Sequence, residues 1–130
     1  MNIILDTNII ISSVKSTKGN PAKIVNLICD DEDIQFYYSN DIFAEYKKVL
    51  AYERLKISVE IQKEILKVVK EVGILIEPAI SDIPLPDESD RIFYDAAKSV
   101  NAYLITGNLK HYPEESHIIP PARFVEMVEN

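Results

Sequence analysis

The chain has 130 residues, of which 21 are acidic and 14 basic, for a formal net charge of −7. A hydrophobic content of 47% excludes intrinsic disorder, and a length of this order fits one domain over residues 1–130. The acidic balance argues against a passive, basic-patch binder of DNA or lipid, although acids that hold metal ions could still bring a polyanion in.

The lone Cys29 allows no intramolecular disulfide and points to a reducing, cytoplasmic setting. No apolar run approaches the roughly 20 residues of a membrane helix. The opening MNIILD has neither a basic stretch nor an uncharged core and does not read as a signal peptide. Asn2 to Leu5 is a short strand, apolar on both faces, which suits the centre of a parallel sheet. Asp6 follows it directly, placed either to cap a following helix or to project from the carboxyl edge, with Thr7 and Asn8 completing a turn. Pro21 opens a helix in which Ile24, Leu27 and Ile28 recur at helical spacing. The acids Asp30 to Asp33 form a solvated loop before a second strand, Gln35 to Ser39.

Ser39, Asn40 or Asp41 caps the next helix, where Ile42, Tyr46, Val49 and Leu50 make one apolar stripe. Glu45 lies along that stripe, where a carboxylate must reach water, pair with a base or hold a metal. Ser58 caps a further helix, which Gly73 ends, and Ile74 to Glu77 is a third strand. The prolines from Pro78 to Pro86 mark an extended connection. Asp87, Glu88 and Asp90 crowd the start of a helix over Ser89 to Asn101. Its buried side carries Ile92, Phe93, Ala96, Ala97 and Val100, and Asp90 falls near that side. Tyr103 to Thr106 is a fourth strand, followed by Gly107 and Asn108. Ile118 and Ile119 form a fifth, and Ala122 to Glu129 is a closing helix.

Strands alternating with helices give a three-layer α/β/α domain with a mostly parallel sheet of four or five strands. Such sheets bind ligands beyond the carboxyl ends of their strands. Asp6 and Asn108 are expected at that edge, and Glu45 and Asp90 on helices that begin there. Clustered carboxylates raise one another's pKa, a strain that a hard divalent cation such as Mg²⁺ or Mn²⁺ relieves. No Cys/His zinc spacing competes, and three glycines build neither a phosphate-binding nor a dinucleotide-binding loop.

The stretches ILDTN (Ile4 to Asn8), FAEYKKVL (Phe43 to Leu50), PDESDRIFYDAA (Pro86 to Ala97) and YLITGNLKHYP (Tyr103 to Pro113), in this order and spacing, resemble a PIN domain of the VapC toxin type. The resemblance implies a Mg²⁺- or Mn²⁺-dependent endoribonuclease acting on RNA. It also implies a cognate antitoxin and a homodimer. By position, Asp6, Glu45 and Asp90 correspond to the core acids that hold the metal, and Asn8 and Thr106 to polar residues that support them. Where many PIN domains carry T-x-D, this chain has Asn108, an uncharged ligand through its amide oxygen. Asp87 offers a replacement carboxylate if its loop folds inward. Lys15, Lys18, Lys23, Lys110 and His111 are the basic residues nearest the active edge and candidates to touch RNA.

Two other chemistries fit poorly. A haloacid-dehalogenase-like phosphatase needs a second Asp where Asn8 stands, and a receiver-like phosphoacceptor needs an Asp after a later strand. The remaining alternative is a PIN-like binding or regulatory protein with little or no turnover, for which Asn108 is the evidence.

Overall fold

The computed structural model describes residues 1–129. Five strands form one parallel sheet: β1 (Asn2–Leu5), β2 (Gln35–Tyr38), β3 (Ile74–Leu75), β4 (Tyr103–Ile105) and β5 (Ile118–Ile119), in the spatial order β3-β2-β1-β4-β5. β1 is central, so Ile3, Ile4 and Leu5 meet packed side chains on both faces and are essentially inaccessible. Six helices flank the sheet: α1 (Thr7–Lys15), α2 (Asn20–Asp30), α3 (Asn40–Leu50), α4 (Val59–Val72), α5 (Arg91–Ser99) and α6 (Pro121–Glu129). Among the described residues, no helix is long and apolar enough to cross a membrane. This is the three-layer α/β/α arrangement that the alternation of strands and helices predicts.

β2 and β3 lie on one side of β1, and β4 and β5 on the other. The chain leaves β1, pairs β2 on one side, and later returns β4 on the other, in register Leu5↔Ile105. That reversal opens a crevice beyond the carboxyl ends of β1 and β4, the position where open α/β sheets take ligands.

The elements start and stop where side-chain chemistry allows. Ser39 Oγ accepts from the Ile42 amide to cap α3, so β2 ends at Tyr38 instead of continuing through Ser39. Ser58 caps α4 in the same way, accepting from Ile61. Helix α5 begins at Arg91; a 3₁₀ turn over Glu88–Asp90, capped by Asp87, occupies the start of the longer helix expected from the sequence. β3 is shorter than the Ile74–Glu77 run, because only Ile74 and Leu75 pair with β2; Ile76 adds one bond to the Tyr38 carbonyl.

The sequence pattern assigns no helix between Asp6 and Pro21, yet α1 fills Thr7–Lys15. Its sequence TNIIISSVK is rich in β-branched residues, which favour strands. Packing overrides that preference: Ile9 and Ile10 are buried, and α1 lies against both α2 and α3.

Candidate functional site

Asp6 terminates β1 and caps α1. Its Oδ1 accepts from the Thr7 amide at 2.7 Å, and the carboxylate is 5% exposed. Its Oδ2 accepts from the Thr106 hydroxyl at 2.8 Å and from the Tyr112 hydroxyl at 3.0 Å. Three donors from three parts of the chain therefore fix one buried acid, which satisfies it without a cation in direct contact.

Thr106 joins the two central loops. While donating to Asp6 it accepts from the Asn108 amide at 3.0 Å, and the Asn8 side-chain amide approaches it at 3.5 Å. Asn8 Oδ1 in turn accepts from the Gly107 amide at 2.8 Å. A side chain at Gly107 would place Cβ 3.1 Å from that oxygen, so the close passage of the two loops favours glycine there. Below Asp6, the buried Tyr46 hydroxyl donates to the Leu5 carbonyl, and its ring stacks on Phe93. Burial, and then the Asp6 charge, hold the phenol of Tyr46 well above its ordinary range; the same two causes act on Tyr112. Both therefore remain neutral hydrogen-bond donors.

Asp90 faces the same hollow. Its side chain is 14% exposed, and its fully buried Oδ2 has no hydrogen-bond donor among the described residues. His111 Nδ1 lies 3.3 Å from that oxygen without hydrogen-bond alignment. Burial first, then the charges of Asp6 and Asp87, push the Asp90 carboxyl up to about 6, against a smaller opposing pull from His111.

These residues line one open cleft of about 440 Å³. Asp6, Asn8, Glu45, Asp87, Asp90, Asn108 and His111 all border it, with Thr106 directly beneath through its bond to Asp6. Glu45 is partly exposed and pairs with Lys48 at 3.3 Å. Asp87 is exposed; its Oδ1 caps the 3₁₀ turn by accepting from the Ser89 amide and hydroxyl, and those bonds lower its pKa. Lys15 is turned to the Leu55 carbonyl, and Lys110 borders a separate hollow with Tyr112 and Glu115. The exposed Lys18 contacts Ser16 through its backbone, and Lys23 pairs with Glu129.

The donor set fits a hard divalent cation. Asp6, Asp90, Glu45 and the side-chain carbonyls of Asn8 and Asn108 offer oxygen ligands, and the buried Asp90 Oδ2 accepts no hydrogen bond, with His111 Nδ1 at 3.3 Å. It is not a closed cage: among the described residues, no three His, Cys, Asp or Glu side chains are drawn up closely enough to hold an ion by themselves. Mg²⁺ tolerates such a site because it keeps several waters and needs only one or two carboxylates.

Sequence reasoning missed Tyr112, Tyr46 and Arg54. Tyr46 reads only as part of the apolar stripe of its helix, and no reading of the sequence gives Tyr112 a role. Arg54, on the 3₁₀ turn Glu53–Leu55 after α3, lines the cleft. Also missed was buried Asp95, which accepts from the Ser81 amide and hydroxyl and pairs with Arg91 at 3.7 Å. Arg91 also donates to the carbonyls of Ser81 and Ile83, so this pair ties the proline-rich segment to α5.

Comparison with known proteins agrees with this layout. The protein MJ1680 of Methanocaldococcus jannaschii is 28% identical over 111 residues, covering 83% of this chain and 71% of that one. A crystal structure of VapBC2 from Rickettsia felis, bound to a DNA fragment from its promoter, superposes with a TM-score of 0.61 at 17% identity. It covers 92% of this chain and 97% of the other, and at that identity it speaks for the fold. A family model described as PIN domain matches residues 2–110, a span that holds all five strands but the last and every carboxylate of the cleft. The chain belongs to the PIN domain family.

Proposed function

We propose that this protein is a Mg²⁺- or Mn²⁺-dependent endoribonuclease and the toxin of a toxin–antitoxin pair. The observation that carries the reading is the pair Asp6 and Asp90. One carboxylate is locked by three donors and the other has a buried oxygen that accepts no hydrogen bond, and both face one cleft at the carboxyl edge of the sheet. Family membership supports nuclease chemistry, and the likeness to the VapBC2 structure supports an antitoxin partner; a homodimer is part of the same proposal.

Asp6, Glu45 and Asp90 would hold the cation, directly or through water, with Asn108 as a neutral oxygen donor. Asn8 and Thr106 support the site by fixing the β1 and β4 loops. When bound, the cation supplies positive charge against the phosphodiester and lowers the pKa of water. Attack of water on RNA phosphorus with loss of the 3′ oxygen leaves a 5′-phosphate on the downstream product. Thr106 and Tyr112, by donating to Asp6, hold that carboxylate in place. His111, 3.3 Å from Asp90, stands where it can contact the RNA backbone.

Asn108 supports a second reading, a PIN-like binding protein with weak or no turnover. The deciding experiment is incubation with tRNAs and rRNA in Mn²⁺, alongside Asp6→Asn. Cleavage with a 5′-phosphate product that is lost in the variant is expected. Mn²⁺-dependent cleavage by Asp6→Asn would refute the assignment. Absence of cleavage with calorimetric Mn²⁺ binding that is unaltered by Glu45→Gln or Asp90→Asn would favour the binding protein.

A further inference from the structure

We infer that Tyr52 and Arg54 form a subsite for one unpaired nucleotide of the RNA, adjacent to the phosphate at the acids; the inference rests on the nuclease reading above. The two residues follow α3, and both line the cleft. The guanidinium of Arg54 lies over the Tyr52 ring, 5.1 Å from its centroid. Tyr52 is 37% exposed, and Arg54 is exposed.

Placement along the helices fits a nucleotide. Glu45 and Val49 on α3 and Tyr52, two residues past its end, all line the cleft. On α1 the cleft continues from Asp6 to Ile11 and Ser12. The trough therefore passes from carboxylates to apolar side chains to an aromatic–cation pair. Lys15, donating to the Leu55 carbonyl, ties the end of α1 to the turn that carries Arg54.

Charge singles out Arg54. Among the described residues that line the cleft it is the one with a permanent positive charge, facing Asp6, Glu45, Asp87 and Asp90 across the hollow. None of these acids pairs with it within salt-bridge distance; its nearest recorded partner is the Tyr52 ring. A phosphate satisfies the guanidinium, and a base satisfies the ring by stacking, a combination typical of single-stranded nucleic-acid binding and tolerant of base identity. Double-stranded RNA cannot use it, because its bases are not free to stack on a side chain.

The test is fluorescence anisotropy with a labelled single-stranded oligoribonucleotide, without divalent metal, for the wild type, Tyr52→Ala, Tyr52→Phe and Arg54→Ala. It is joined by steady-state cleavage in Mn²⁺. Loss of one stacked base predicts roughly tenfold weaker binding for Tyr52→Ala, with Tyr52→Phe near wild type. Arg54→Ala should weaken binding and flatten its salt dependence. In cleavage both alanine variants should raise KM and leave kcat within about twofold, and binding of a duplex of the same sequence should not change. Circular dichroism melts matching the wild type establish that the variants fold. If the wild type cleaves and the alanine variants bind and cleave as it does, the subsite is refuted while the nuclease stands. If they lose duplex binding equally, or lose affinity only for a basic peptide, the subsite is likewise refuted. If the wild type cleaves no RNA but binds it in a Tyr52-dependent way, the subsite stands and the nuclease reading falls.

Discussion

The hydroxyl of Tyr112 donates to Asp6 Oδ2 at 3.0 Å, across 106 residues of sequence. The bond links the loop after β4 to the end of β1 inside the protein, and burial keeps the phenol neutral so that it always donates. Tyr112→Phe removes the donor and leaves the ring. Asp6, which is buried, then keeps two donors instead of three. A hydrogen bond to a charged group contributes about 1.5–3 kcal/mol, so urea unfolding of the metal-free variant should show a loss of this order. Mn²⁺ should recover part of it, because a cation replaces the lost positive partner. A variant as stable as the wild type would show that Asp6 does not depend on Tyr112.

Asp90 makes a prediction with the opposite sign. Its folded-state pKa of about 6 lies above the ordinary 3.8. The native state thus binds the proton more tightly than the unfolded chain, and stability falls as pH rises from about 4 through 6. The penalty is fully present at pH 7 and absent below pH 4. Asp90→Asn should therefore stabilise the metal-free protein by ~1–2 kcal/mol at pH 7 and leave it unchanged near pH 3.5, where both forms are neutral. Thermal melts across this range measure the difference. Saturating Mn²⁺ should raise the melting point of the wild type more than that of the variant. A pH-independent difference would mean that the buried charge is not the cause.

Much of this arrangement was legible in the sequence because it depends on position along single elements. Asp6 ends a buried strand, Asp90 sits near the buried side of a helix start, and Glu45 lies on an apolar stripe; each is a local oddity. Tyr112 and Tyr46 are not odd locally. They become part of the site only through partners 106 and 41 residues away, which no periodicity records. Helix α1 was hidden for a different reason: its β-branched run carries the wrong local preference, and its burial against α2 and α3 decides the matter. Asp95 was hidden because Ser81, whose amide and hydroxyl both donate to it, meets it only once the proline-rich segment folds back onto α5.

Gly73 shows a residue whose place was legible and whose reason was not. It ends α4 as expected, but its φ of −82° is open to any residue, so a left-handed turn is not what selects it. Space selects it. A Cβ there would lie 2.4 Å from the Val69 carbonyl oxygen and 2.6 Å from the Tyr38 ring. Gly73→Ala must displace backbone or a packed aromatic, at a cost of about 1–3 kcal/mol. Urea unfolding should show that loss with the cleft's Mn²⁺ affinity unchanged, since Gly73 is not among the residues lining it. A neutral substitution would mean that the end of α4 shifts freely.

In the proposed metal site, Asn108 is the residue expected to set how strongly the cleft holds a cation. Its backbone amide is committed to Thr106, while its exposed side chain borders the cleft beside Asp6 and Asp90. Asn108→Asp adds a negative charge without changing shape. In the metal-free protein that charge raises the Asp90 pKa further, by the same repulsion that Asp6 and Asp87 already exert. With a divalent cation present the repulsion becomes attraction to the ion. Calorimetry at pH 7.5 should find Mn²⁺ bound about tenfold more tightly, or ~1.4 kcal/mol, and RNA cleavage should rise with it. Asn108→Ala separates charge from ligation: if the amide oxygen is a ligand, the alanine variant binds Mn²⁺ more weakly than the wild type. Equal affinity for Asn, Ala and Asp at this position would place the ion away from Asn108 and leave Asp6, Glu45 and Asp90 to hold it alone.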